Sequence, residues 1–405
     1  MTDLVGGWAV DTGVLALALF IVSLGLFLFF GFFFFLFAWK FHPSAPVQPN
    51  PNPEPVVIIV PVRDDPSILN ALSFLRAIDY PSYRVLIVDD SNDQGFRTDL
   101  DQHRDGRVEI LRRPVARGRK AGALNFALEH LAASPPKFVV TLDADHRPNP
   151  DFLARAVTLI EQTGADCVEG YQKHDIGAKG FFGMFYRAGA ATSIRNLKGQ
   201  SDLGFGAYFA GAPAIFRYEW LRGKGFDETS ITEDWELTLR AYGDGDFKIA
   251  VREDLWVSAA VPMNLGWFIR QQIRWTEGIT RDFRKHVWRL IRSRLSIRAK
   301  VGLVHQGLMG LQGPAMFLFW LILPTIFPGK LPFLSMVGLF VALGFVWGWP
   351  MSQGARFEGY RLKQMASVLV YAFLLSYLLL PTGTYAFLSG LVRDPSGWTV
   401  TKRRG

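Results

Sequence analysis

Three acidic clusters in this chain stand where carboxylates can do chemistry. Asp143-Ala144-Asp145 follows the apolar run Lys137-Phe-Val-Val-Thr-Leu. Two carboxylates two apart at a strand-to-loop exit can share a divalent cation, Mg2+ or Mn2+, with diphosphate oxygens completing the shell. That cation then acts as a Lewis acid on a departing phosphate. Many solvated loops carry the same pattern, so context must decide. Asp89-Asp90 ends a second run, Arg84-Val-Leu-Ile-Val. Adjacent acids there can accept hydrogen bonds from a nucleobase or ribose, or form an Asx turn. Thr232-Glu233-Asp234 opens the stretch Asp234-Trp-Glu-Leu-Thr-Leu-Arg. Asp234 reads as a helix N-cap, as a general base that takes a proton from an acceptor hydroxyl, or as both. Glu233 would orient the acceptor, or Asp234 itself.

Cationic and aromatic residues accompany these acids. Gln271-Gln-Ile-Arg274-Trp275 begins 37 residues after Asp234. On a helix, Gln271, Arg274 and Trp275 share a face. They present an amide, a phosphate-gripping guanidinium and an indole platform for a sugar ring. An interfacial aromatic belt with a snorkelling Arg is the plainer reading. Lys120 precedes a helical stretch, a poor place for a cation beside the helix dipole, and is better placed facing a phosphate. The tail Gly397-Trp-Thr-Val-Thr-Lys402 has the hydroxyls and cation of a lid over a diphosphate, or is a frayed terminus. His146 can ligate a metal but reads first as a loop histidine. No G-x-G-x-x-G, H-E-x-x-H or G-x-S-x-G motif occurs.

The elements that must position these residues alternate. Val56–Val62, Val85–Val88, Val108–Leu111 and Phe138–Leu142 are short β-branched runs. Ile68–Ile78, Ala121–Leu131 and Phe152–Ile160 have helical spacing. Strands alternating with helices predict a parallel sheet covered on both faces, with ligands at the strands' C-terminal ends. Asp89, Asp90, Asp143 and Asp145 fall at such ends. The stretch from Gly177 to Gly225 is Gly- and Phe-rich and resists assignment. Leu265–Glu277 reads as an amphipathic helix.

Val14 to Trp39 is 26 residues without a charge, longer than the ~20 a membrane span needs. It lacks the basic start of a secretory signal. Acids precede it, and Lys40 and His42 come directly after it, so the positive-inside rule puts the chain beyond Lys40 in the cytoplasm. The single Cys, Cys167, excludes an internal disulfide, suits a reducing compartment and reads as a small core residue. The net charge of +8 is concentrated between Arg281 and Lys300, interleaved with apolar residues. That predicts a basic amphipathic helix on the anionic inner leaflet rather than a nucleic-acid partner. Apolar segments come next at about Val304–Phe327, Phe333–Trp349 and Ala366–Val392. Pro381 and Gly383 interrupt the last, and three full crossings would put the basic tail outside. A broken hairpin or re-entrant element is therefore expected there.

The order of these motifs resembles family 2 of the glycosyltransferases in its membrane-integrated branch, which holds cellulose, hyaluronan, chitin and mannan synthases and ceramide glucosyltransferases. The likeness runs from about Pro55 to Lys402. It implies a GT-A, Rossmann-like α/β catalytic domain with an α-helical transmembrane region. It implies that Asp89, Asp90, Lys120, Asp143, Arg274 and Lys402 bind the donor, and that Asp143 and Asp145 hold Mg2+ or Mn2+. Asp234 would be the catalytic base, and Glu233, Gln271 and Trp275 would meet the acceptor. Trp398-Thr-Val-Thr-Lys402 is similar to the F-x-V-T-x-K gating loop of cellulose synthases, with Trp for Phe. The chain has one N-terminal span where cellulose synthases have several, which weakens the case for a full polymer channel.

The expected organisation is an anchor at 1–42, a Pro-rich linker at 43–54, a GT-A domain at 55–262, interfacial helices at 263–300, a transmembrane region at 301–392 and a gating tail at 393–405. The expected activity is inverting, metal-dependent transfer of a hexose, with glucose favoured, from a UDP-sugar to a growing β-glycan. A processive enzyme in a bacterial-type inner membrane is the favoured setting. A lipid glycosyltransferase is the alternative, and an inactive envelope-assembly scaffold a remote one. The expected partners are the UDP-sugar, a glycan or lipid acceptor and anionic membrane lipids.

Overall fold

The computed structural model describes residues 12–48, 53–245, 247–326, 333–393 and 402–403. Among them, eight strands form one sheet: β1 (Val56–Val62), β2 (Tyr83–Asp89), β3 (Val108–Leu111), β4 (Phe138–Thr141), β5 (Arg147–Pro148), β6 (Cys167–Ile176), β7 (Ala214–Arg217) and β8 (Ile249–Ala260). Their order is β3-β2-β1-β4-β7-β6-β8-β5. Strands β3, β2, β1 and β4 run parallel, β7 is antiparallel to both neighbours, and β6 and β8 are parallel again. The sheet is thus mostly parallel, as expected, with β7 antiparallel to its neighbours and β5 antiparallel to β8.

Alternation along β1 explains its two-sided burial. Val56, Ile58, Val60 and Val62 enter one core, with Ile68 and Leu72 of α2 (Ser67–Arg76) and Leu153 and Val157 of α5 (Phe152–Thr163). Val57 and Ile59 enter the other, with Leu124 and Leu128 of α4 (Arg119–His130) and Leu221 of α7 (Tyr218–Lys224). A β-branched run with period-2 side chains can serve both faces only when helices cover both. Helix α3 (Gln94–Asp101) follows β2, with the Asp93 carboxylate accepting the Phe96 N–H at its start. Cys167 is buried in the second core.

The unassigned Gly/Phe-rich stretch contains α6 (Gly180–Asp202), then β7 and α7. Helix α8 (Glu233–Asp244) packs on α9 (Leu265–Arg292) and α10 (Ile297–Gly307) through Trp235, Leu239, Phe283, Leu290 and Leu303. The basic stretch is the end of α9 and the start of α10, and most of its cations are exposed. Lys285 pairs with Asp227, Arg289 with Asp244, and Arg281 donates to the Thr229 carbonyl. Trp288 and Ile297 stay exposed.

The helical layer comprises α1 (Thr12–Trp39), α11 (Gln312–Ile326), α12 (Phe333–Phe357) and α13 (Leu362–Val392). Among the described residues, two helices are long and apolar enough to cross a membrane, Gly13–Trp39 and Leu362–Val392. A third span exists if Ile297–Gly307 and Met309–Pro324, bent by 48°, count as one. Phe27 packs with Phe319 and Leu323, and Phe34 stacks on Trp347 at 4.8 Å. The hairpin expected at Pro381 is not formed, because α13 runs unbroken through it. Two hydroxyls bond back onto the helix beside it: Thr382 donates to the Leu379 carbonyl at 2.9 Å and Thr384 to the Leu380 carbonyl at 2.8 Å. Both ends of α13 adjoin the α/β layer. Glu358, just before it, pairs with Arg187 of α6, and the Leu391 carbonyl accepts from Arg284 of α9.

Candidate active site

The sheet's C-terminal edge opens on a cleft of about 180 Å3. Asp90, Lys120, Asp143, Asp145, Glu233, Asp234, Gln271, Arg274 and Trp275 all line it. These residues come from stretches distant in sequence, and the topology brings them to one place. Strand β4 sits between β1 and β7, so Asp143 and Asp145 emerge centrally.

Each aspartate of the pair keeps one oxygen for the fold and turns the other to a shared point. Asp143 Oδ1 accepts from Lys120 Nζ at 2.7 Å, and Asp145 Oδ2 accepts the Ala260 N–H at 2.7 Å. The remaining oxygens both face the Arg403 guanidinium, Asp143 Oδ2 at 3.4 Å and Asp145 Oδ1 in direct contact. One cation already bridges the pair. His146 lies beside them: donor atoms of Asp143, Asp145 and His146 fall within 4.8 Å of one another. Its Nδ1 accepts the Asp143 N–H at 3.2 Å, while the buried Nε2 has no hydrogen-bond partner among the described residues. The donor set fits a hard divalent cation. Burial alone would raise the Asp143 carboxyl, but the charge of Lys120, with that of Arg403, outweighs it and holds it well below the usual range. Burial lowers His146 to about 4, so its ring is neutral.

Lys120 stands on the first turn of α4, where Gly118 and Arg119 take positive φ of 69° and 54°. Its Nζ also lies 3.6 Å from Glu233. It thereby joins the Asp143 and Glu233 groups across the cleft. Burial opposes its charge, yet Asp143 and Glu233 raise its pKa.

Thr232, not Asp234, is the residue before α8, and its hydroxyl turns to Asp282 of α9 at 2.8 Å. Asp234 lies in the first turn of α8, at the cleft wall. Its Oδ1 accepts the Trp235 N–H at 2.7 Å. Its Oδ2 lies beside Gly211, where an added Cβ would come within 2.9 Å and φ is +107°. Only glycine leaves that oxygen open. Burial first, then the charge of Glu233, raises the Asp234 carboxyl to about 7.

On α9, Gln271 is buried and its Oε1 accepts from the Tyr186 hydroxyl at 2.9 Å. Arg274 faces Glu233 and Asp234, and Trp275 is part exposed at 39%. Two residues expected at the donor end do not line the cleft. Asp89 is buried behind it, accepting from Arg112 at 2.8 Å and from the Ser91 N–H at 3.0 Å. Lys402 lies outside it: its carbonyl accepts the Met263 N–H at 2.9 Å and its ammonium stands 6.0 Å from the Trp267 ring. Trp398 to Thr401, the rest of the gating motif, fall outside the described residues. Sequence reasoning missed other cleft residues. Arg403 carried a signal in the Lys-Arg-Arg run. Gln172, His174 and Tyr186 carried none, since the elements that place them were unassigned.

A mostly parallel mixed sheet with metal-competent acids at the central strand ends and a carboxylate-bearing helix across the cleft is the GT-A arrangement. Residues 57–222 match Glycosyl transferase family 2, and the chain carries a domain of that family. The chain is similar to the probable glucomannan 4-beta-mannosyltransferase 14 of Arabidopsis thaliana, 30% identical over 46% of this chain and 36% of that one. It is 28% identical to a UDP-forming cellulose synthase catalytic subunit of Dictyostelium discoideum, over 46% of this chain and 18% of that one. The match thus spans well under half of these relatives' length. In fold it resembles the mannosyltransferase PcManGT of Pyrobaculum calidifontis, solved with GDP-Man and Mn2+. That likeness has a TM-score of 0.63 and 19% identity, over 94% of this chain and 99% of that one.

Proposed function

We propose that this chain is an inverting hexosyltransferase of the membrane. It moves a hexose from a nucleoside diphosphate sugar to the hydroxyl of a β-glycan or glycan-bearing acceptor. The carrying observation is that Asp143, Asp145 and Asp234 open on one cleft, with Lys120 between the groups. Asp234 takes the proton of the acceptor hydroxyl as that oxygen attacks the anomeric carbon from the face opposite the diphosphate. One such displacement inverts the carbon and yields a β-linkage. Lys120 and Arg274 offset charge on the departing diphosphate, and Asp90 receives the nucleoside. Asp143, Asp145 and His146 would hold Mg2+ or Mn2+, which when bound supplies further neutralisation of the leaving group. Trp275 stacks on the acceptor sugar, and Gln271 is held toward it by Tyr186.

UDP-glucose is the donor that the order of motifs points to, and a processive reaction goes with it. GDP-mannose is the second reading. It is favoured by the mannosyltransferase names among the relatives and by the GDP-Man bound to PcManGT. We place the α/β layer on the cytoplasmic side, since Lys40 and His42 follow the first span and Arg403 returns to the cleft. The test is purified protein in lipid nanodiscs with labelled UDP-glucose and GDP-mannose and either cation, followed by product sizing. Asp234→Asn should abolish transfer while nucleotide binding persists. Equal loss of binding and transfer would make Asp234 a structural residue.

A further inference from the structure

Three cavities lie in series from the sheet edge into the helical layer. Asp234 and Trp275 line both the cleft and a second cavity of about 430 Å3 behind it. Phe185 of α6 lines both that cavity and a third of about 730 Å3, set among α1, α11, α12 and α13. Thr276, next to Trp275 on α9, also opens on the third. The series therefore passes from carboxylates, through a mixed cavity, into an apolar one.

Among the described residues, no charged side chain lines the third cavity. Its polar contributions are Thr276, Gln312, Ser376 and Tyr377, set among Phe, Leu, Met and Trp. Its volume falls within the ~300–1,000 Å3 usual for ligand sites. Three of its glycines stand off from their neighbours. A Cβ at Gly344 or Gly383 would meet no atom within 4 Å, and one at Gly348 only Leu369 at 3.7 Å. Close-packed helices rarely leave such room. Other glycines of this layer vary: a Cβ at Gly31 would press on the Val346 side chain, while Gly25 is open. The second cavity carries Glu169, Gln172, His174 and Gln272, suited to hydroxyls. Glu169 Oε2 is buried and has no hydrogen-bond partner among the described residues.

We infer that the acceptor is a lipid-borne sugar. Its hydrocarbon tail lies in the apolar cavity, its polar head in the middle one, and its reacting hydroxyl at Asp234. This rests on the transferase reading above and narrows its acceptor class. A bulk bilayer lipid is the competing occupant. The shared walls at Phe185 and Trp275 favour the acceptor, because they join the apolar space to the base. A bare glycan chain, by contrast, would meet a wall with few hydroxyl partners.

The test uses the full chain in phosphatidylcholine nanodiscs with whichever labelled nucleotide hexose it turns over. Methyl and dodecyl β-D-glucosides are compared as acceptors. The dodecyl compound should show a KM lower by at least about tenfold, since its tail leaves water for the apolar cavity. Partitioning into the bilayer would give a preference too, but an unspecific one. Gly348→Phe and, separately, Gly383→Leu should therefore remove most of the preference while transfer to the methyl glucoside is kept. A preference that is absent, or that survives in both variants, overturns the inference. As a check independent of folding, a dodecyl glucoside with a terminal diazirine should label wild-type protein on the cavity face of α12 or α13. Labelling confined to exposed positions such as Leu378 would also overturn it. If no nucleotide hexose is turned over at all, the transferase reading fails instead, and the labelling pattern still reports on the cavity.

Discussion

As the proposed base, Asp234 has to be ionised to accept a proton, and its surroundings oppose that. With the carboxyl raised to about 7 by burial and then by Glu233, the rate should climb as pH rises through 7 and level off above it. Glu233→Gln removes the like charge, so the acid limb of kcat/KM should move to lower pH. Profiles at saturating Mn2+ read this directly, and an unmoved limb would assign the titration to another group. Lys120 and Arg274 act in the opposite sense, because their charges favour the carboxylate. Much of this was legible in the sequence, since acids at strand ends point to one edge. The difference between Asp89 and Asp90 was not. Neighbours at a strand end face opposite sides, and only the paired arginines reveal which is which: Arg112 holds Asp89 in the interior, while Arg113 holds Asp90 at the cleft wall.

Helix α8 is aimed by a buried connection to α9. The hydroxyls of Ser230 and Thr232 donate to Asp282 at 2.5 and 2.8 Å, just ahead of Glu233 and Asp234. Burial raises the Asp282 carboxyl to about 6, against the pull of those two hydroxyls. The folded protein therefore holds this proton more tightly than the unfolded chain. Its contribution to stability is complete below about pH 4 and is lost as pH rises to about 6, on the order of 3 kcal/mol in total. Asp282→Asn should flatten that part of the pH dependence of the unfolding midpoint, and an unchanged slope would refute the assignment. A second contact joins anchor to enzyme. Gly199 of α6 lies against α1, and a Cβ there would come within 2.0 Å of the Phe37 carbonyl oxygen. Gly199→Val should cost about 1–3 kcal/mol and raise protease sensitivity near residue 40, where an unaltered cleavage rate would argue that the helices separate freely. Pattern reasoning found α8, α9 and α1, whose periods or apolar runs are strong. It missed α6, whose Gly and Phe content hides the helical period, and misjudged α13, which runs unbroken through Pro381.

The cleft is closed from three directions: by loops of the sheet, by the α8–α9 pair, and by a tail that returns from beyond the helical layer. The third is the least legible in sequence, because Arg403 meets Asp145 across 258 positions and nothing local forecasts that path. The backbone fixes its approach, as Arg403 bridges to Pro262 and Met263 N–H donates to the Lys402 carbonyl at 2.9 Å. The guanidinium then occupies the point on which the free oxygens of Asp143 and Asp145 converge. A divalent cation and this side chain are therefore alternatives for the same two oxygens, so binding one must displace the other. Arg403→Ala should lower the Mn2+ concentration that half-saturates the protein without nucleotide by several-fold, as read by calorimetry. Lys402→Ala should leave that value alone, because its ammonium is turned to Trp267. Were the arginine instead needed to grip the diphosphate, its removal would leave the Mn2+ titration unmoved and raise the donor KM. The two titrations together decide whether the tail guards the cation site or serves the nucleotide.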